Sequence, residues 1–142
     1  MKESFLNIPL EELEVPALAL KKIADKQKHP VILLTGEMGA GKTTFTSVLV
    51  KLYGIAENAN SPTFNLYNVY KSFGKEIYHF DLYRLRDATE LDNIEVEEIW
   101  GKQGISIIEW WQIAKDFLPE NTIEVRITTV DFDHRDIEII SR

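Results

Sequence analysis

Residues 31–53 read VILLTGEMGAGKTTFTSVLVKLY, and this stretch decides the fold. Val31–Thr35 is a short, continuously apolar run, the pattern of a strand buried on both faces of a parallel sheet. Gly36-Glu37-Met38-Gly39-Ala40-Gly41-Lys42-Thr43 then matches the spacing G-x-x-x-x-G-K-[ST]. From Thr43 to Tyr53 the apolar residues Phe45, Val48, Leu49 and Leu52 fall on one helical face, and Gly54 stands where a helix C′ residue favours glycine. Strand, glycine loop and helix in that order have a chemical consequence. Glycines let successive amides turn inward into an anion nest, and the following helix adds the positive end of its dipole. Residues 36–44, including Thr44, are therefore expected to cradle the phosphates of a nucleotide. Lys42 is expected to reach the β- and γ-phosphates, and the Thr43 hydroxyl to ligate Mg2+.

A phosphate loop needs a second group that holds the metal or orients water, and in open α/β sheets it lies beyond the carboxyl ends of the strands. Two acids stand at such ends: Asp81 after Ile77-Tyr78-His79-Phe80, and Glu109 after Ile105–Ile108. Asp81, Glu109 and Lys42 are the catalytic candidates; Thr43, Glu109 and Asp81 are the metal candidates. Trp110 and Trp111 follow Glu109 and shield it or pack. Ser61-Pro62-Thr63-Phe64 reads as a turn entering a strand, with hydroxyls able to sense a γ-phosphate. His79, Tyr83 and Arg84 flank Asp81; Arg84 offsets charge near the phosphates or pairs with the acids of 87–98, and Tyr83 packs or functions.

Outward from this centre, Ser4–Ile8 reads as an edge strand. A helical pattern follows Pro9, and Pro16 marks its first turn. Phe64–Tyr70 and Glu76–Leu82 read as a hairpin across Lys71–Lys75. Arg84–Trp100 reads as acidic and mostly helical, and a short helix runs to about Phe117. Thr122–Val130 and Arg135–Ile140 form a closing hairpin around Asp131–His134. The expected fold is α/β, a three-layer phosphate-loop NTPase-like domain with a mixed parallel and antiparallel sheet, spanning residues 1–142 as one domain. Runs 31–35 and 105–108 are its parallel core.

Composition narrows the function. The 142 residues carry 16 basic and 23 acidic side chains, a net charge of −7, with 44% hydrophobic residues and no cysteine. An acidic surface repels nucleic-acid backbones, so contact with nucleic acid is expected only through partners. The absence of cysteine excludes disulfides and thiol catalysis and fits a cytoplasmic address. No run approaches the roughly 18 apolar residues of a membrane span, and no signal peptide is visible in Met1–Leu10.

The blocks GEMGAGKTTF, SPTFNLYNVY, IYHFDLYRL and IIEWW, in this order and spacing, resemble the bacterial TsaE (YjeE) family, over about residues 31–116. The resemblance implies a small ATPase that binds ATP and Mg2+, hydrolyses ATP slowly alone, and is needed to make threonylcarbamoyladenosine in tRNA. It implies docking onto the proteins TsaD and TsaB, an assembly that hydrolysis resets between cycles. Glu109 matches the family's metal-associated acid, Asp81 its other essential carboxylate, Trp110 the tryptophan after the acid, and Ser61–Phe64 the switch-type loop. Trp111 departs from the proline usual there. By the same analogy the adenine pocket lies near Ser4–Ile8 and the Asp131–Arg135 turn.

Two other enzyme classes share the loop. A small-molecule kinase normally carries a basic lid; here the five arginines, Arg84, Arg86, Arg126, Arg135 and Arg142, are dispersed. A GTPase needs an Asn-Lys-x-Asp segment, which is lacking. A nucleotide-gated binding module without turnover shares every feature but the chemistry.

Overall fold

The computed structural model describes residues 1–56, 59–60, 62, 66–87, 89–91 and 96–142. Its frame is one seven-stranded sheet in the order β1-β7-β6-β2-β5-β4-β3. The strands are β1 (Lys2–Pro9), β2 (Val31–Thr35), β3 (Tyr67–Ser72), β4 (Lys75–Asp81), β5 (Ile105–Glu109), β6 (Thr122–Thr129) and β7 (His134–Ser141). The central four, β6, β2, β5 and β4, are parallel, and β7, β1 and β3 pair antiparallel at the margins. The mixed α/β sheet and its parallel centre are thus as the sequence implied. All four parallel strands end at the same edge of the sheet, which places Thr35, Asp81 and Glu109 together.

Strand alternation sorts the residues onto two faces. Helices α1 (Glu14–Ala24) and α2 (Lys42–Leu52) cover one face, packing Leu20, Phe45 and Leu49 on Ile32, Leu34, Ile107 and Val125. Pro16 sits in the first turn of α1, where its missing N–H costs no helical bond. Leu49 is fully buried, and its truncation to alanine costs about 2–5 kcal/mol. Gly54 closes α2 with φ 87°. The opposite face carries Val31, Leu33, Phe80 and Ile108 under a thinner layer that includes Leu82, Leu91, Val96, Trp100 and Ala114.

That thinner layer corrects the sequence reading. The described residues of Arg84–Trp100 are not mostly helical: they hold a 3-10 turn at 89–91 and the four-residue α3 (Val96–Ile99). The cause is local. The Asp87 carboxylate accepts the Thr89 amide at 2.9 Å, and Glu90 accepts the Arg86 amide at 2.7 Å. Such side-chain bonds offer the backbone an alternative to the helix ladder. Leu82, Leu91, Val96, Ile99 and Trp100 meanwhile reach the second core. The stretch to Phe117 is 3-10, kinked at Ala114. The first hairpin is also tighter than expected: its strands run to Ser72 and from Lys75, leaving only Phe73-Gly74. Both adopt positive φ, 47° and 79°, as a two-residue turn matching the sheet twist requires.

Candidate functional site

The loop between β2 and α2 is shaped by its glycines. A Cβ on Gly36 would stand 2.9 Å from the Ile127 carbonyl oxygen of β6, so the chain leaves β2 against its neighbour. Gly41 has φ 100° and open space around it; conformation, not crowding, requires glycine there. Lys42 opens α2, is 6% exposed, and bends back to donate from Nζ to the Gly36 carbonyl at 2.6 Å. Burial pulls its pKa below the usual lysine value, against the raising influence of Glu109 and Asp81. Thr44 is exposed at the third position of α2.

Across the loop stand the two acids. Glu109 and Asp81 are register partners on β5 and β4. Glu109 is 3% exposed, and its Oε2 lies 2.6 Å from Nε2 of the fully buried His79. The Thr43 hydroxyl donates to the same oxygen at 3.4 Å. Nδ1 of His79 has no hydrogen-bond partner among the described residues. A buried N–H without an acceptor is costly, so the proton belongs on Nε2, where Glu109 receives it. Burial raises the Asp81 carboxyl above its ordinary value; the Tyr83 amide, bonded at 3.0 Å, opposes this, and Glu109 adds to it.

Trp110 closes the site. Its backbone is left-handed, with φ 56° and ψ 41°, a strained choice for a bulky side chain. The reversal lays the indole over Lys42, with Nζ 3.9 Å from the ring centroid, and against Tyr83 at 5.0 Å. Two compartments meet at this Lys42–Trp110 wall. One of about 260 Å³ is lined by Gly39, Gly41, Thr43, Asp81, Tyr83 and Glu109. The other, about 590 Å³, is lined by Thr35, Glu37, Gln112, Arg126 and Thr128. Met38 borders the first and Ala40 the second.

The structure therefore brings Lys42, Thr43, Asp81, Glu109, His79, Tyr83 and Trp110 together. Arg84 is exposed and lines neither compartment. Ser61, Thr63 and Phe64 lie outside the described residues, and Pro62 alone of that loop is described. Neither Ser4–Ile8 nor Asp131–Arg135 lines either compartment. Trp111, the departure from proline, donates its indole N–H to the Thr35 hydroxyl at 2.9 Å and begins the 3-10 stretch.

Sequence reasoning missed two buried charges. Glu124, 3% exposed on β6, accepts from Thr35 at 2.7 Å, Arg126 at 3.0 Å and Arg142 at 2.9 Å. Arg135 on β7, 8% exposed, donates to the Ala40 carbonyl of the phosphate loop at 2.9 Å. An acid on a strand of the closing hairpin reads as outward-facing, and only the sheet order, with β6 between β7 and β2, reveals the burial of the first. Arg135 ends the Asp131–Arg135 turn that the resemblance places near the adenine, but nothing there marked its burial or its bond to Ala40.

The family model for the threonylcarbamoyl adenosine biosynthesis protein TsaE matches residues 10–137. The chain belongs to the TsaE family. Among TsaE relatives, that of Haemophilus influenzae, a tRNA threonylcarbamoyladenosine biosynthesis protein, is 40% identical over 116 residues, covering 82% of this chain and 73% of the relative. The TsaE of Bacillus subtilis is 33% identical over 124 residues, covering 87% and 77%. The crystal structure of YdiB from Bacillus subtilis superposes with a TM-score of 0.77 at 26% identity, over 99% of this chain and 86% of YdiB. No helix among the described residues is long and apolar enough to cross a membrane.

The donor set fits a magnesium nucleotide. Thr43, Asp81 and Glu109 offer only oxygen, which suits a hard cation. Among the described residues no cluster of three His, Cys, Asp or Glu side chains forms a ready metal cage. Mg2+ asks for less than a cage, since phosphate oxygens and waters complete its shell.

Proposed function

We propose that this TsaE family member binds ATP with Mg2+ on the loop 36–43 and hydrolyses it in the service of threonylcarbamoyladenosine synthesis on tRNA. One observation carries the reading: a buried lysine and a threonine hydroxyl from one helix and two carboxylates from two adjacent parallel strands converge on one 260 Å³ compartment at the carboxyl edge of the sheet. The partners are proteins of the TsaD and TsaB kind. The net charge of −7 supports indirect contact with tRNA, and the cytoplasm is the fitting location.

Each residue has a role. The loop amides and Lys42 take up charge on the β- and γ-phosphate oxygens, and Lys42 moves from the Gly36 carbonyl to do so. Thr43 and Glu109, with Asp81 beside them, would hold Mg2+, which supplies charge neutralisation on the transferring phosphoryl group. His79 fixes one oxygen of Glu109, so the acid presents a set direction. Asp81, a stronger base than an ordinary aspartate, is placed to receive the proton of the attacking water. Trp110 and Tyr83 cover the compartment and limit water.

Phosphate release from ATP tests this, with and without TsaD and TsaB, for the wild type, Lys42→Ala and Glu109→Ala. Partner-stimulated release lost in both variants is the expected result. Unchanged release in Lys42→Ala, or phosphate arriving on a small-molecule acceptor, would refute it.

A further inference from the structure

Arg135 is a buried cation with an unusual set of partners. It belongs to β7, beyond the last core positions Ile137 and Ile139, on the face that α1 and α2 cover. Its guanidinium spends every described bond on main-chain carbonyls. NH1 donates to Asp131 at 2.7 Å, His134 at 2.8 Å and Phe132 at 3.4 Å, and Nε donates to Ala40 at 2.9 Å. Among the described residues no carboxylate pairs with it, whereas Arg126 and Arg142 both meet Glu124. Arginines are rarely buried unless paired, so the charge calls for an explanation.

The Ala40 bond supplies one. In a trans peptide the carbonyl of one residue and the amide of the next point in opposite directions. With the Ala40 oxygen drawn back toward β7, the Gly41 N–H turns the other way, and Gly41 lines the 260 Å³ compartment. Gly41 is the residue with φ 100° that hands the loop to α2. The same guanidinium carries a full positive charge behind a loop that already faces the positive end of α2 and the buried Lys42 ammonium. Like charges gathered this way are costly unless an anion completes them.

We propose that Arg135 is a positioning residue of the phosphate loop: it sets the peptide between Ala40 and Gly41 and supplies a fixed charge behind it, so that a polyphosphate is held by a loop anchored to the β6–β7 turn. This rests on the ATP reading above. It also gives that turn, absent from both compartments, a part in nucleotide binding.

The test is calorimetric titration of the full chain with ATP and, separately, with inorganic pyrophosphate, which lacks base and ribose. Thermal melting of each variant runs alongside. Arg135→Met should weaken both ligands by a common factor, on the order of tenfold to a hundredfold. A merely structural role would lower the melting temperature and leave the affinity of the folded protein unchanged. Arg135→Lys keeps the charge but not the fork, and should recover part of the loss for both ligands. A cooperatively melting Arg135→Met with wild-type affinity for both would overturn the proposal. If that variant does not fold, Arg135→Lys decides: affinity reduced by about threefold or more supports the proposal, and wild-type affinity overturns it. Should the wild type itself bind neither ligand, the ATP reading fails and takes this inference with it.

Discussion

Glu109 and Glu124 flank the same strand and are equally buried, each at 3% exposure, yet they are opposite kinds of acid. Glu124 is saturated. Burial alone would push its carboxyl up, but hydrogen bonds from Arg126 and Thr35 and the charges of Arg126 and Arg142 outweigh burial and hold it below the usual glutamate value. Glu109 faces Lys42, Thr43 and Asp81 across a compartment and takes its short bond from His79. Burial by itself does not tell the two acids apart. What sets Glu109 apart is unfinished compensation: neighbours that include another acid, a cation already lent to a carbonyl, and space for a ligand.

Exchanging the acids for amides should separate the two roles most sharply. Glu109→Gln is expected to cut partner-stimulated ATP turnover by about 10²–10³-fold while changing stability little. Glu124→Gln should do the reverse: it leaves two arginines without their common partner and costs about 1–3 kcal/mol in denaturant unfolding, with turnover per folded molecule within about threefold. Equal turnover losses in the two variants would dissolve the distinction.

Asp81 extends the contrast, because its carboxyl is raised where that of Glu124 is lowered. A folded-state pKa above the unfolded value means that the ionised form opposes folding. Its contribution therefore weakens the fold as pH rises through that value. Asp81→Asn removes the charge but keeps the oxygen that accepts from Tyr83. It should abolish turnover and raise the melting temperature at neutral pH by about 1–3 °C, a site that trades stability for chemistry. Glu124 runs the other way: its stabilisation is present above the unfolded value and disappears as pH falls through its depressed folded one. An acid titration of Glu124→Gln should accordingly show less loss of stability than the wild type. A fall in melting temperature for Asp81→Asn would contradict the assignment.

Much of this was readable from residues alone, and the exceptions have physical causes. The phosphate loop, the buried runs on β2 and β5 and the acids ending β4 and β5 were legible because spacing and apolar runs report directly on buried parallel strands. Glu124 was not, since an acid on β6 looks like an outward-facing residue until sheet order shows both faces covered. Arg135 was not, because its partner is a main-chain carbonyl 95 positions away, and a carbonyl leaves no mark in a sequence. The 84–100 stretch misled because Asp87 and Glu90 bond to the backbone locally and unmake the helix that composition suggested.

The smallest expected effect lies at the β6–β7 turn, where Asp131 is bonded to His134 at 2.8 Å and raises its pKa. That support is present below the usual histidine value and is lost as pH rises through the folded one. Melting temperatures across about pH 6 to 8 should slope slightly less in His134→Gln than in the wild type. A larger change in the variant would mean that the turn matters more than its exposure suggests.

The most direct measurement is calorimetric titration of the wild type and Lys42→Ala with ATP in the presence of Mg2+. The account predicts saturable binding at one site per chain, lost in the variant even though its melting remains cooperative. Absence of heat in the wild type, or undiminished binding in Lys42→Ala, would contradict the claim that the amides of residues 36–43 enclose a polyphosphate.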